Sequence, residues 1–164
     1  MQNKKELAKV ILNKGNELCF KACGISMEPL IYNEYKIKLI PYKNNKYNIG
    51  DIVLYEYNGE FVLHRIIKQY DDSYLCKGDN AITAEMISIN KIIAKAKSVI
   101  DLNSSEFELI YDSNAVVKKI CELSYDFWIT TQKGQKKEMW NNEDHRWLLK
   151  YIYENKQVLL KRKD

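Results

Sequence analysis

Three short segments of the chain carry a hydroxyl, an imidazole and a carboxylate, the groups that amide hydrolysis requires. They are "GISMEP" around Ser26, "VLHRI" around His64 and "KGDN" around Asp79. A serine hydroxyl is a weak nucleophile at neutral pH and needs a base to accept its proton. Histidine can act as that base, and a carboxylate on its other ring nitrogen would orient it. The three residues therefore predict a nucleophilic hydrolase, provided that the fold brings them together.

The residues around Ser26 are typical of a sharp turn. Gly24 permits backbone conformations that other residues avoid, and Pro29 restricts the chain on the far side. Backbone N–H groups at such a turn can stabilise an oxyanion, so Gly24 and Ser26 are the predicted oxyanion support. Spacing alone does not identify a triad, because triads are recognised by geometry and role.

Alternating apolar residues predict several short strands between residues 16 and 100. The segments "ELCFKACGISM", "KIKLIPY", "IVLYEY", "EFVLHRII" and "SYLCKGD" alternate, and β-branched residues favour a strand for "INKIIAKAKSVI". Asn58-Gly59 is a strong signal for a two-residue hairpin. We expect a β-rich unit that forms a curled sheet or small barrel, with Ser26 at the end of its first strand.

Helical patterns flank this unit on both sides. Residues 4–13 predict a short amphipathic helix that ends at Gly15. After residue 100, "NAVVKKICELSYDFWITTQ" and "NEDHRWLLKYIYENKQVLLKRK" predict two helices, the second capped near Asn142. The predicted organisation is an N-terminal helix in 1–15, the β-rich unit in 16–100 and a mostly helical extension in 101–164, an α+β architecture overall.

Composition excludes several functional classes. The net charge of +4 over 164 residues is too mild to predict a nucleic-acid partner. No apolar run reaches the length of a signal peptide or a membrane helix, so we expect a cytoplasmic protein without a span of its own. The four cysteines lack zinc-ligand spacing, which predicts reduced thiols and neither a metal nor another cofactor.

The ordered set of motifs adds a family resemblance. "GISMEP", then "YNIGDIVLYEYNGEFVLHRII", then "YLCKGDN", within residues 18–98, resembles the serine peptidases of the signal peptidase and LexA-type repressor superfamily. His64-Arg65 at the base position is similar to the histidine branch, which includes endoplasmic reticulum, archaeal and some Gram-positive signal peptidases. The resemblance implies Ser26 as nucleophile, His64 as general base and Asp79 as acidic partner.

The resemblance also implies a substrate and a binding mode. An extended peptide would pair as an added strand, with Met27 and Pro29 among the substrate-binding residues, and would be cut after a small residue. Signal peptidases of this branch carry membrane helices that are absent here, so we expect a leader or precursor peptide as substrate. Alternatively, a membrane-bound partner protein could supply the membrane anchor that this chain lacks. Gly24 also replaces a serine that supports the oxyanion in many relatives.

Several residues have weaker claims to the same roles. Asp79 could simply bond the backbone of its own turn. Arg65 is expected to be structural or substrate-facing, and His145 is expected to face solvent. Lesser candidates for the acid or the base are Asp51, Asp71, Asp72, Lys36 and Lys38.

Two alternative functions stay open at this point. A LexA-like regulator would cleave itself, although no helix-turn-helix pattern precedes the β-rich unit. A non-catalytic module of the same fold would grip an extended peptide without cutting it. The aromatic residues Trp128, Trp140 and Trp147 could hold a leader peptide, or they could pack the helices onto the β-rich unit.

Overall fold

A computed structural model of the chain describes residues 2–41, 47–111, 115–132 and 142–163. Within these ranges the chain forms one antiparallel nine-stranded sheet and four α-helices. The helices are α1 Gln2–Asn13, α2 Ala115–Gln132, α3 Glu143–Glu154 and α4 Lys156–Leu159. The strands are β1 Leu18–Lys21, β2 Lys36–Pro41, β3 Ile52–Tyr57, β4 Glu60–Gln69, β5 Ser73–Lys77, β6 Ala84–Ser88, β7 Ile92–Ile100, β8 Glu106–Leu109 and β9 Leu160–Arg162.

The sheet is open, with β1 and β6 at the two ends of its main path. The strand order is β1-β2-β7-β3-β4-β5-β6, and β7 also pairs with β8, which pairs with β9. The segment after residue 100 therefore contributes two strands to the sheet as well as three helices. This arrangement agrees with the predicted α+β class. None of the helices in the described ranges combines the length and the apolar character needed to cross a bilayer.

The strongest local signals correspond to the observed elements. Asn58 and Gly59 have φ values of 50° and 79° and join β3 to β4, as the hairpin signal predicted. The predicted alternation of β2 is confirmed, since Ile37 and Leu39 are both fully buried. The cap of α3 is confirmed too, because the Asn142 side chain accepts hydrogen bonds from the backbone of Asp144 and His145.

The first strand is shorter than predicted, and this changes the setting of Ser26. β1 ends at Lys21, and residues 24–31 form a turn, called the Ser26 turn below. Gly24 has a φ of 94°, and its N–H donates to Asn33 Oδ1 at 3.0 Å. The left-handed conformation at Gly24 takes the chain out of the strand, so Ser26 lies within a turn and not at a strand end.

One hydrophobic cluster connects the sheet with the helices that follow it. Met27 and Leu54 belong to the same buried cluster as Ile120 of α2 and Leu148 and Ile152 of α3. Burying an aliphatic side chain of this size contributes about 1.5–3 kcal/mol, so these contacts hold the helices firmly against the sheet. Met27 follows Ser26 directly, which places the Ser26 turn at the edge of this shared core.

Candidate active site

Ser26 and His64 both lie against one glycine, Gly78. A Cβ atom built on Gly78 would stand 3.0 Å from Ser26 Cβ and 3.0 Å from His64 Nε2. These two atoms are therefore no more than about 6 Å apart. The same Cβ would lie 2.6 Å from the Ser26 carbonyl oxygen, so only glycine fits at this position. The predicted pairing of Ser26 with His64 is thus compatible with the fold, and Nε2 is the ring nitrogen on the Ser26 side.

The other ring nitrogen of His64 contacts a carboxylate that the sequence did not indicate. His64 Nδ1 lies 3.0 Å from Glu85 Oε2 and 3.1 Å from the Tyr55 hydroxyl. The Tyr55 hydroxyl donates to the same Glu85 oxygen at 2.8 Å. Because an ionised carboxylate only accepts, the neutral imidazole carries its hydrogen on Nδ1. Nε2 is then left as an unprotonated acceptor on the side of Ser26.

The buried position of Tyr55 keeps its hydroxyl neutral. Burial, followed by the nearby Cys76 and Glu85, raises the pKa of Tyr55 well above its ordinary value of 10.0. The hydroxyl therefore stays a hydrogen-bond donor over the whole physiological range. Glu85, with two donors on one oxygen, is held in place against His64.

Asp79 has a different partner from the one predicted. Its two carboxylate oxygens accept from Arg65 Nε and Nη2, both at 2.8 Å, and Arg65 Nη1 donates to the Gly50 carbonyl at 3.0 Å. Asp79 and Arg65 are both buried. The structure places Asp79 against Arg65, and the far nitrogen of His64 contacts Glu85 instead. The ion pair instead connects β4 to the turn that contains Gly78.

Asn80 holds the Ser26 turn from the same side as Gly78. Its backbone N–H donates to the Ser26 carbonyl at 2.8 Å, and its Nδ2 donates to the Ile25 carbonyl at 3.2 Å. Within the described residues, the N–H groups of Ile25, Ser26 and Met27 donate no hydrogen bond. These groups can therefore receive an oxyanion. Gly24 cannot contribute its own N–H as predicted, because Asn33 accepts it.

A groove beside Ser26 separates β1 from the first half of β4. We call it the β1–β4 groove; its volume is about 460 Å³, and it is lined by Phe20, Lys21, Ala22, Cys23, Gly24, Ser26, Met27, Ile31, Glu60, Phe61, Val62, Leu63, His64 and Glu85. Of the two predicted substrate-binding residues, Met27 lines this groove and Pro29 does not. Ser26, His64 and Glu85 all border it, so a bound molecule would contact the three side chains together.

Both sides of the β1–β4 groove offer unpaired backbone groups. The Ile66 N–H donates to Asp51 on the β3 side, and strand geometry then directs the N–H and C=O groups of Phe61 and Leu63 away from β3. β5 does not cover them, since its pairing with β4 begins at Arg65. On β1, Ala22 bonds to Tyr35, so the backbone groups of Lys21 and Cys23 face the groove, where the Lys21 carbonyl also accepts from Cys23 Sγ at 3.9 Å. The geometry suits an extended chain that pairs with either edge.

The weaker candidates lie outside this arrangement. Asp51 pairs with Lys95 at 2.6 Å, and Lys38 pairs with Glu106 at 2.5 Å. Lys36, Asp71 and Asp72 are exposed. The expectation that His145 faces solvent is wrong, because its side chain is 3% exposed and packs against Phe127.

The aromatic residues proposed for leader binding differ in accessibility. Trp147 is 47% exposed and stacks on Tyr151, with ring centroids 5.6 Å apart. The indole N–H of Trp128 is buried and has no partner among the described residues. Trp140 lies outside the described residues. An exposed aromatic surface on α3 is therefore present at Trp147.

The sequence did not indicate Glu85 or Tyr55 as site residues. The position of Tyr55 beside His64 could, however, have been inferred from the hairpin. The Asn58-Gly59 hairpin sets Tyr55 opposite Val62, and this places Tyr55 and His64 diagonally on one face of the sheet. Glu85 shares its face of β6 with the buried Ile87. An acid on the inward face of a strand is a functional signal, but "AEMIS" was not predicted as a strand and its faces were not assigned.

Two comparisons with known proteins were without a match. No protein-family model matches the chain, and no curated protein matches it. In the described ranges, no group of three or more His, Cys, Asp and Glu side chains is placed to hold a metal ion.

Proposed function

We propose that this chain is a serine endopeptidase related to the histidine branch of the signal peptidase and LexA-type superfamily, with Ser26, His64 and Glu85 as its catalytic residues. One observation carries the proposal. Ser26 and the unprotonated nitrogen of His64 meet at Gly78, while Glu85 occupies the opposite nitrogen. The ordered motifs of residues 18–98 support the same assignment.

The catalytic cycle follows from the positions of the protons. Ser26 Oγ attacks the carbonyl carbon of the scissile amide as its proton passes to His64 Nε2. Glu85 stabilises the imidazolium that forms, and Tyr55 keeps Glu85 oriented. The C–N bond breaks as Nε2 returns the proton to the leaving amine. A water molecule then hydrolyses the acyl-serine ester by the same route and restores the free hydroxyl.

The Ser26 turn supplies electrostatic stabilisation for the tetrahedral intermediate. The free N–H groups of Ile25, Ser26 and Met27 are candidates for the oxyanion hole. Removing one donor of this kind from a hydrolase typically costs about 10²- to 10³-fold in kcat. This arrangement replaces the serine hydroxyl that many relatives use at the position of Gly24.

The proposed substrate is an extended leader or precursor peptide cut after a small residue. The open backbone groups on both sides of the β1–β4 groove support binding by strand addition. Four unpaired cysteine thiols, of which Cys19 and Cys23 are exposed, support a reducing compartment such as the cytoplasm. The preference for a small residue derives from the family resemblance.

A library of many different peptides tests the activity because it assumes no particular cleavage site. The full chain is incubated with a proteome-derived peptide mixture, and new termini are identified by mass spectrometry. We expect cleavages that vanish with Ser26→Ala and His64→Ala and persist with Ser73→Ala, a serine outside the groove. Termini that survive in Ser26→Ala would show that a contaminating protease produced them and would contradict the proposal.

A second candidate function is a peptide-binding module without catalysis. It is favoured by one feature, since the Ser26 hydroxyl makes no hydrogen bond within the described part of the chain. Catalytic hydrogen bonds are often long before substrate binds, so this feature does not by itself exclude catalysis. Library peptides that bind without new termini would favour the module, and a loss of intact mass by the chain alone would favour self-cleavage.

A further inference from the structure

His145 connects the C-terminal helices to the Ser26 turn. It lies in the first turn of α3 and is 3% exposed. His145 Nε2 is 3.2 Å from the side-chain oxygen of Asn80. Asn80 in turn holds the carbonyls of Ile25 and Ser26. A continuous chain of hydrogen bonds therefore runs from α3 to the residue that the proposed reaction uses as its nucleophile.

The bonds of Asn80 determine which atom of His145 carries the hydrogen. Asn80 Nδ2 donates to the Ile25 carbonyl, so Oδ1 is the acceptor that faces His145. An amide oxygen only accepts, which places the hydrogen of a neutral His145 on Nε2. The other nitrogen, Nδ1, is buried and has no partner among the described residues. Among the described residues, the His145 ring thus makes a single hydrogen bond, from Nε2 to Asn80 Oδ1.

The surroundings of His145 keep it in this single state. Burial, and then the positive charge of Lys77, lower the pKa of His145 from 6.5 to about 4. Phe127 packs on the ring at a centroid distance of 5.0 Å. Lys77 donates to the Gly78 carbonyl at 3.0 Å and lies over the Phe127 ring. His145 is therefore a neutral, oriented donor at physiological pH.

We propose that His145 is a positioning residue, through which α3 holds Asn80 and thereby keeps the Ser26 turn aligned with His64. This inference rests on the proposed function for its catalytic consequence, although the alignment itself is a property of the folded chain. Without the His145 bond, the Asn80 amide is free to rotate, and its bond to Ile25 weakens. The reacting hydroxyl then spends less time in the productive geometry.

Backbone hydrogen exchange tests the alignment independently of catalysis. The measurement follows fragments that cover residues 24–31 and 78–82 in the full chain, because the Asn80 N–H reports its bond to Ser26. The variants are His145→Leu, which removes the donor, and His145→Gln, which keeps a donor near the position of Nε2. Ile152→Val is the control, since it trims the buried face of α3 but has no bond to Asn80.

We expect about tenfold faster exchange in both fragments for His145→Leu, and near-normal exchange for His145→Gln and Ile152→Val. On a peptide that the wild-type chain cleaves, His145→Leu should lower kcat by about ten- to hundredfold with little change in KM, and His145→Gln should restore most of it. Unchanged exchange in His145→Leu, or equal acceleration in Ile152→Val, would overturn the positioning role. If the wild-type chain cleaves nothing, the proposed function fails, while the exchange data still decide the alignment.

Discussion

Asp79 lies in the short connection between β5 and β6, Glu85 lies on β6 itself, and their partners differ in kind. Asp79 is fully buried and gives both oxygens to Arg65, a cation at every physiological pH. Glu85 retains some exposure to the β1–β4 groove and shares one oxygen between His64 and Tyr55. One carboxylate is paired permanently, and the other faces a base that can gain and lose a proton.

This difference separates a structural acid from one that can take part in chemistry. A carboxylate held by a guanidinium through both oxygens is fixed against that cation and away from the imidazole, however near it lies in sequence. A carboxylate beside histidine stabilises the imidazolium each time it forms. The contrast predicts that removing the charge of Asp79 damages stability and that removing the charge of Glu85 damages activity.

The largest expected effect is on catalysis by Glu85→Gln. A glutamine can present its amide to His64 Nδ1 and favour the wrong tautomer, so we expect kcat to fall by about 10²- to 10⁴-fold. The free energy of unfolding should change by less than about 1 kcal/mol, because no buried charge is left without its partner. Steady-state kinetics on a peptide from the library measures the first value, and urea unfolding measures the second.

The control for this change is Glu108→Gln, a glutamate on β8 that does not line the groove. It should match the wild-type chain in both measurements. Equal activity in Glu85→Gln and the wild-type chain would mean that Glu85 has no part in catalysis. The proposed functional difference between Glu85 and Asp79 would then be wrong.

The next effect is on stability, with Asp79→Asn. The substitution leaves the Arg65 cation buried without a counter-charge, which typically costs about 3–5 kcal/mol. Urea unfolding should show this loss, whereas Asp72→Asn, at an exposed turn, should stay within about 0.5 kcal/mol of wild type. An Asp79→Asn protein of normal stability but without activity would reverse the assignment and return Asp79 to the catalytic role.

A third carboxylate, Glu106, extends the comparison to an acid that is partly exposed, and its expected effect on stability is smaller. Hydrogen bonds from Lys38, Ser98 and Lys163 lower the pKa of Glu106 from 4.5 to about 2. Because the folded-state pKa is below the unfolded value, its stabilisation is present above pH 4.5 and is lost as the pH falls toward 2. The side chain is 21% exposed, so we expect less than about 1 kcal/mol.

Urea unfolding at pH 6 and pH 3 checks this value. Glu106→Gln should be less stable than wild type at pH 6, and the gap should narrow at pH 3. Glu122→Gln, at an exposed position of α2, is the control. A gap that stays constant between the two pH values would show that Glu106 contributes through packing and not through its charge.

The elements that depend on local signals were predictable from sequence. The hairpin at Asn58-Gly59, the strands with clear alternation and the capped start of α3 all follow from backbone preferences of neighbouring residues. The strands β6, β8 and β9 were not predicted, because segments of five, four and three residues carry little alternation, and β8 and β9 pair across a long stretch of chain. The same lack of local signal hid Glu85.

Residue types and their order predict Ser26 and His64 as candidates, since few side chains can attack an amide or accept a proton near neutral pH. Their order along the chain also indicated the family resemblance. The choice between Asp79 and Glu85 required the tertiary structure. The two acids are six residues apart in the chain, and only the folded sheet shows that Asp79 contacts Arg65 and Glu85 contacts His64. Hydrogen bonds between side chains depend on distances in space, which residue order does not specify.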